Sequence, residues 1–240
     1  MENSFMEKET RLNKFLSEAG ICSRREADRL IEKGQVLVDG TPASPGQKVT
    51  SANKVTVNGK TIGAAQEKVL LLFNKPRGIV CTAEKRERNN LIDYLNYPVR
   101  ITYAGRLDKD SEGLLLLTND GDLIDKMMRA RNRHEKEYVV TVDKPVTDDF
   151  LKSMAGGVPI LDTVTRPCEV TKISKNTFRI VLTQGLNRQI RRMCEYFQYK
   201  VVRLKRVRIM NLHLGSLPSG KTRALTQQET KELYRQLEQE

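Results

Sequence analysis

Gly105-Arg106-Leu107-Asp108-Lys109-Asp110-Ser111-Glu112-Gly113, with the run Leu114-Leu115-Leu116-Leu117 behind it, is the stretch on which the rest of the chain is read. Glycines bracket a densely charged loop, four leucines give a strand-length apolar run, and Asn119-Asp120-Gly121 supplies a turn at once. By itself such a loop reads as a charged surface connection between strands, because loops of this kind are common. What surrounds it changes that reading.

Upstream, Val69 to Phe73 is another continuous apolar run of strand length. Tyr138 to Val142 and Phe178 to Leu182 are further strand candidates. Helical segments are expected at Asp122 to Arg129, Asp148 to Ala155, Arg188 to Tyr196 and Gln227 to Leu237. Strands and helices interleave without a regular strand-helix-strand rhythm, which favours an α+β class over a doubly wound sheet.

The N-terminal part is organised differently. Residues 1–9 are polar and expected to fray. Leu12, Phe15, Leu16 and Ala19 recur at helical spacing up to Gly20. Ser23-Arg24-Arg25-Glu26 reads as a capping box opening a second helix, with Ala27, Leu30 and Ile31 on its apolar face. Val36-Leu37-Val38 before Asp39-Gly40, and Val55-Thr56-Val57 before Asn58-Gly59, read as strands entering tight turns. The expected organisation is a small domain over 1–62, a linker over 63–68 and a larger domain over 69–240.

The chain has 240 residues and a formal charge of +12. That excess points to a polyanion, since Lys and Arg release condensed counterions when they meet phosphates. No apolar run approaches the roughly 20 residues that span a bilayer, and no secretory signal opens the sequence. A cytoplasmic protein that does not engage membranes is expected. Cys22, Cys81, Cys168 and Cys194 lie far apart, and His134 and His213 add no ligand cluster, so reduced thiols and no metal are expected. With no Trp and few aromatics, nucleic-acid binding has to rest on charge and shape.

Arg11, Lys14, Arg24, Arg25, Arg29 and Lys33 can gather on one side of the two N-terminal helices. Charge alone supports a solvated face and a phosphate-binding face equally. The order Arg-Leu-Asn-Lys-Phe-Leu, Ser-Arg-Arg-Glu-Ala, Ile-Glu-Lys-Gly-Gln-Val, Val-Asp-Gly over residues 10–57 resembles the RNA-binding domain of ribosomal protein S-four. The resemblance implies a small α/β module that recognises structured RNA through shape and backbone contacts.

Three segments flank the charged loop in order. They are Asn74-Lys75-Pro76-Arg77-Gly78, Glu135-Lys136-Glu137-Tyr138 and Gln184-Gly185-Leu186-Asn187-Arg188-Gln189-Ile190-Arg191-Arg192-Met193. Together with Gly-Arg-Leu-Asp they resemble the RsuA family of pseudouridine synthases over nearly all of residues 69–226. Val158-Pro159-Ile160-Leu161 and Arg208-Ile209-Met210-Asn211 are most similar to the branch that acts on large-subunit ribosomal RNA. The resemblance implies a catalytic domain with a central, mainly antiparallel sheet. It implies Asp108 as the catalytic carboxylate, Tyr138 against the target base and serving in proton removal, Arg191 paired with Asp108, and Leu204 on the other face of the uracil. The family often has His where this chain has Arg188.

Arg106, Lys75, Arg77, Arg188 and Arg192 join Leu204 as expected substrate contacts. The run Arg188, Arg191, Arg192, Lys200, Arg203, Lys205, Arg206 and Arg208, opposed in sequence only by Glu195, is expected to form an RNA-facing wall. The expected partner is large-subunit ribosomal RNA, with small-subunit rRNA or tRNA as alternatives, bound by a monomer that needs no cofactor. Two other classes stay open: a non-catalytic RNA-binding or ribosome-associated factor, and a glycosidase pairing Asp108 with Asp110 or Glu112.

Overall fold

The structure is a computed structural model that describes residues 9–63, 65–129 and 133–238. The polar segment 1–8 expected to fray lies outside the described residues. Contacts divide the chain into two compact units: one runs to Lys68 and takes in 98–100 and 119–121, and the other holds the remainder from Val69.

In the first unit, β1 (Thr10–Arg11) leads into α1 (Leu12–Glu18) and α2 (Arg24–Glu32). The expected cap forms: the Ser23 hydroxyl accepts the Glu26 N–H at 3.2 Å. Short strands β2 (Val36–Val38), β3 (Thr41–Pro42), β4 (Lys48–Val49), β5 (Val55–Val57) and β6 (Lys60–Thr61) follow. Four of them align antiparallel in the order β3-β2-β5-β6, and β1 pairs with β4. Asp39 and Asn58 turn with φ of 51° and 48°, each followed by a positive-φ glycine, as two-residue hairpin turns require. Leu12, Leu16, Ala27, Ile31, Val36 and Val55 close this unit's core.

The second unit is built on a nine-stranded sheet. Its elements begin with β7 (Leu70–Lys75), α3 (Leu91–Leu95), β8 (Thr102–Ala104), β9 (Glu112–Thr118), α4 (Gly121–Met128) and β10 (Lys136–Val142). Then come α5 (Asp148–Gly156), the small hairpin β11 (Pro159–Ile160) and β12 (Thr163–Val164), and strands β13 (Glu169–Ser174) and β14 (Thr177–Leu182). Last are α6 (Gln189–Tyr196), β15 (Val201–Ile209), β16 (Leu212–His213), β17 (Thr222–Ala224) and α7 (Gln227–Glu238).

The main path runs β13-β14-β10-β15-β9-β7-β17, with β16 beside β15 and β8 beside β9. All of these pairings are antiparallel except β15 with β9, so the sheet is mainly antiparallel as expected. The fold is α+β, a small α/β unit followed by this sheet and its helices. Val140, Phe150, Met154, Phe178, Ile180, Met193 and Leu204 pack α5 and α6 onto the sheet in one core cluster. Leu72, Leu114, Leu116, Leu123, Ile209, Leu233 and Leu237 pack α4 and α7 in another.

The parallel pairing of β15 with β9 positions the site. Gly113 sits opposite Arg206 with φ of +106°, and a Cβ there would lie 2.2 Å from the Arg206 carbonyl oxygen. Only glycine permits that approach. It docks the charged loop's C-terminal end against β15.

Candidate active site

The loop from Gly105 to Ser111 joins β8 to β9, and backbone and guanidinium bonds hold it. Ser111 N–H reaches the Asp108 carbonyl at 3.0 Å, and Gly78 N–H reaches the Lys109 carbonyl at 2.8 Å. Arg206 Nε donates to the Leu114 carbonyl at 2.7 Å and Nη1 to the Arg106 carbonyl at 3.5 Å, so β15 clasps the loop from beneath. Arg191, one turn into α6, donates to the Asp110 carbonyl at 3.3 Å and the Ser111 hydroxyl at 3.4 Å.

Beside this loop lies a cleft of about 290 Å³, at the small end of ligand sites, which run roughly 300–1,000 Å³. Asp108, Arg106, Ser111, Lys136, Tyr138, Gln184, Arg188, Leu204 and Arg206 all contribute to its walls. Period-two geometry explains the contribution of two strands. Lys136 and Tyr138 share one face of β10, Leu204 and Arg206 share one face of β15, and Tyr138 stands opposite Arg206 across the ladder.

Asp108, Tyr138, Leu204, Arg106 and Arg188 thus meet at one cleft. The direct ion pair with Asp108 is made by Arg188, Nη1 to Oδ2 at 3.8 Å, where Arg191 was expected. Arg188 takes a left-handed conformation just before α6 and so projects at the rim, whereas Arg191 lies under the loop backbone. Burial pushes the Arg191 pKa down, helped by the Arg188 charge, while Asp108 and Asp110 oppose the shift. Arg191 therefore sits within electrostatic reach of Asp108 and acts as the loop's brace.

Other expected contacts fall outside the cleft. Lys75 is wholly buried, its Nζ donating to the Ile79 carbonyl at 2.7 Å and the Pro76 carbonyl at 2.9 Å. It ties the turn after β7 and does not extend an RNA-facing wall. Arg77 is exposed and close enough for its charge to act on Arg191. Arg192 is held to Asn187 through the backbone carbonyl at 3.1 Å and the side-chain oxygen at 3.3 Å.

The basic run is also less bare than its sequence. Arg208 binds Glu137 and Glu135, each at 2.9 Å, and Arg203 pairs with Glu112. The opposing carboxylates arrive from β9, β10 and the segment before β10, which sequence order hides. Among the N-terminal residues, Arg11, Arg25 and Lys33 are exposed, Lys14 and Arg24 are half-buried, Lys14 lies 3.7 Å from Glu18, and Arg29 lies 3.1 Å from Glu26.

Sequence reasoning missed Ser111, Lys136 and Gln184 as wall residues and placed Arg206 in an RNA-facing wall without foreseeing its burial. The available signal was alternation: Lys136 lies two residues from Tyr138, and Arg206 two from Leu204. Among the described residues all cysteines are free, and no group of three His, Cys, Asp or Glu side chains is placed to hold a metal ion. No helix among them is long and apolar enough to cross a membrane.

Both units of the chain match known families. The model of RNA pseudouridylate synthases matches residues 69–196, and that of the S4 domain matches residues 10–53. The chain belongs to the RNA pseudouridylate synthase family and carries an S4 domain at its N-terminal end; it is an RNA pseudouridine synthase, an isomerase. Among individual relatives, it is 55% identical to the dual-specificity RNA pseudouridine synthase RluF of Salmonella typhi, covering 95% of this chain and 80% of that protein. It is 37% identical to the ribosomal large subunit pseudouridine synthase B of Bacillus subtilis, covering 93% of this chain and 95% of that protein. A crystal structure of a pseudouridylate synthase superposes with a TM-score of 0.69 at 28% identity, covering 93% of this chain and 99% of the other.

Proposed function

We propose that this enzyme converts a specific uridine of large-subunit (23S) ribosomal RNA to pseudouridine in the cytoplasm, using Asp108 and no cofactor, as a monomer. Residues 1–62 form its RNA-binding domain, 63–68 the linker and 69–240 the catalytic domain. The observation that carries the reading is the convergence of Asp108, Tyr138 and Leu204 on one cleft of base-and-sugar size.

The reaction breaks the ribose C1′ to uracil N1 bond, turns the base, joins C5 to C1′ and releases the C5 proton. It imports no group and changes no oxidation state, so the residues of the cleft suffice. The target base leaves its stack first, at a cost of a few kcal/mol. Leu204 on one side and the Tyr138 ring on the other receive it, and the Tyr138 hydroxyl is the relay for the C5 proton. Asp108 faces C1′, either bonding to it or balancing the positive charge that develops there. Arg188 pairs with that carboxylate at 3.8 Å, and Arg191 holds the loop that aims it. Arg106, Arg77 and Arg192 engage the RNA backbone around the mouth. Arg11, Lys14, Arg24, Arg25, Arg29 and Lys33 do the same on the N-terminal helices.

Incubation with 23S transcripts followed by carbodiimide detection of pseudouridine tests the reading. A modified site appears with the wild type and not with Asp108→Asn. No modification at high enzyme, with RNA bound, leaves a non-catalytic RNA-binding factor instead. A second substrate class is favoured by the dual specificity that the names of the RluF relatives print. Pseudouridine maps of tRNA and small-subunit rRNA in cells with and without the protein decide it.

A further inference from the structure

The floor of the cleft holds a feature that the proposed roles leave unused. Arg206 is 2% exposed, in the middle of the sheet, and Lys136 is half-buried beside it. Two cations this close and this dry ordinarily carry a carboxylate between them, because a buried unpaired charge is costly. Here none is supplied among the described residues. Lys136 Nζ donates to the His134 carbonyl at 3.0 Å, and Arg206 donates to the Leu114 and Arg106 carbonyls. Arg206 Nη2 is buried with no hydrogen-bond partner among the described residues. The protein therefore maintains a positive floor under a cleft whose only facing carboxylate among the described residues, Asp108, is engaged at the rim by Arg188.

We propose that Lys136 and Arg206 hold the negative charge that the uracil carries after its bond to the ribose breaks. This inference rests on the pseudouridine synthase reading and assigns two further residues to that same site. As the C1′–N1 bond breaks, its electron pair stays on N1, and the charge spreads to the two carbonyl oxygens of the ring. Asp108 faces the electron-poor C1′, and the two cations face the electron-rich base. The pair is returned when C5 bonds to C1′. The C5 proton is then lost, and N1 takes up a proton, so the product is an isomer and the balance closes. Lys136 and Arg206 do nothing for a uracil still joined to its sugar beyond donating hydrogen bonds to its carbonyls. Their contribution is concentrated in the transition state.

Burial and, after it, the Arg206 charge push the Lys136 pKa down to about 8.

The test uses the full chain and an RNA carrying the target uridine, read as single-turnover rate, RNA dissociation constant and KM. Pseudouridine formation by the wild type is established first; its failure overturns the functional reading and not this inference alone. Lys136→Met is then expected to lose about 10²-fold in rate with RNA affinity and KM unchanged, and Lys136→Arg to recover most of the rate. A second substrate carries 5-fluorouridine at the target, whose base is a better leaving anion; because its C5 bears no proton to lose, the rate read on it is the single-turnover consumption of the 5-fluorouridine. On it, the loss caused by Lys136→Met shrinks. Equal fractional losses on both substrates, or a wild-type rate in Lys136→Met, overturn the proposal. Should Lys136→Met fail to fold, Lys136→Gln and Arg206→Lys are read on the same pair of substrates, with the same outcomes deciding.

Discussion

Two basic regions of this molecule treat arginine and lysine in opposite ways. On α1 and α2 the apolar residues take the inner stripe, so Arg25, Arg29 and Lys33 stand in solvent. On β15 the alternation of a central strand sends every second residue inward whatever its charge, and Arg206 is buried while Arg203 is exposed. A helix can sort charge to its outer face, and a strand in mid-sheet cannot. Charge on the helices is therefore cheap and diffuse, suited to phosphate contact. Charge held inside the sheet persists against a desolvation cost and lines the cleft.

The contrast is sharpest at the cleft. Asp108→Asn is expected to lower turnover by at least about 10³-fold with RNA affinity within twofold, read by single-turnover pseudouridine formation and filter binding. Substantial activity would move the chemistry away from the inward-facing groups altogether. Gly113→Ala follows in size. Its Cβ has no room beside the Arg206 carbonyl and its φ is +106°, so a loss of about 3 kcal/mol or more in urea unfolding is expected. A near-neutral result would mean that β9 and β15 can part without cost.

Arg191→Ala removes the brace on Asp110 and Ser111 while leaving the Arg188–Asp108 pair. A rate loss of about 10²-fold, roughly 2.7 kcal/mol, is expected without a matching loss of stability. If Arg188→Ala costs more than Arg191→Ala, the rim pair outweighs the brace.

Lys136 supplies a test of opposite sign. Its folded pKa of about 8 lies below the ordinary 10.5, so the unfolded chain holds this proton more tightly. Stability is reduced below about pH 8 and recovers as pH rises from there towards 10.5. Lys136→Met is therefore expected to be more stable than the wild type at pH 7 by about 1–2 kcal/mol. The advantage fades above pH 8, as urea melts across that range will show. A destabilised variant at pH 7 would show that the charge is not held against a cost. The smallest effect is expected on the helices: Arg25→Ala with Lys33→Ala weakens RNA binding severalfold, flattens its salt dependence by about one to two units of slope, and leaves the bound rate alone.

Local signals made much of this legible. The Ser23 cap, the Asp39-Gly40 and Asn58-Gly59 turns and the helices α4 to α7 depend on neighbours a few residues apart, and each is where the sequence places it to within a residue or two. β15 was not read as a strand at all, because its basic residues mask the alternation of Leu204, Arg206 and their neighbours. The same masking hid Arg206 as a buried group, and Lys75 was misread because nothing local announces that a lysine will be enclosed by β7, β9 and the turn that follows.

By itself the sequence determined the class of chemistry and the small basic module at the N-terminal end. Those are carried by motifs whose meaning lies in residue type and order. Tertiary structure alone decided that Arg188 and not Arg191 meets the carboxylate, that Glu112, Glu135 and Glu137 neutralise part of the basic run, and that Lys136 and Arg206 share a floor without a counter-ion. Strand pairing between distant segments sets those neighbours, and the energy of a charge depends on what surrounds it in space.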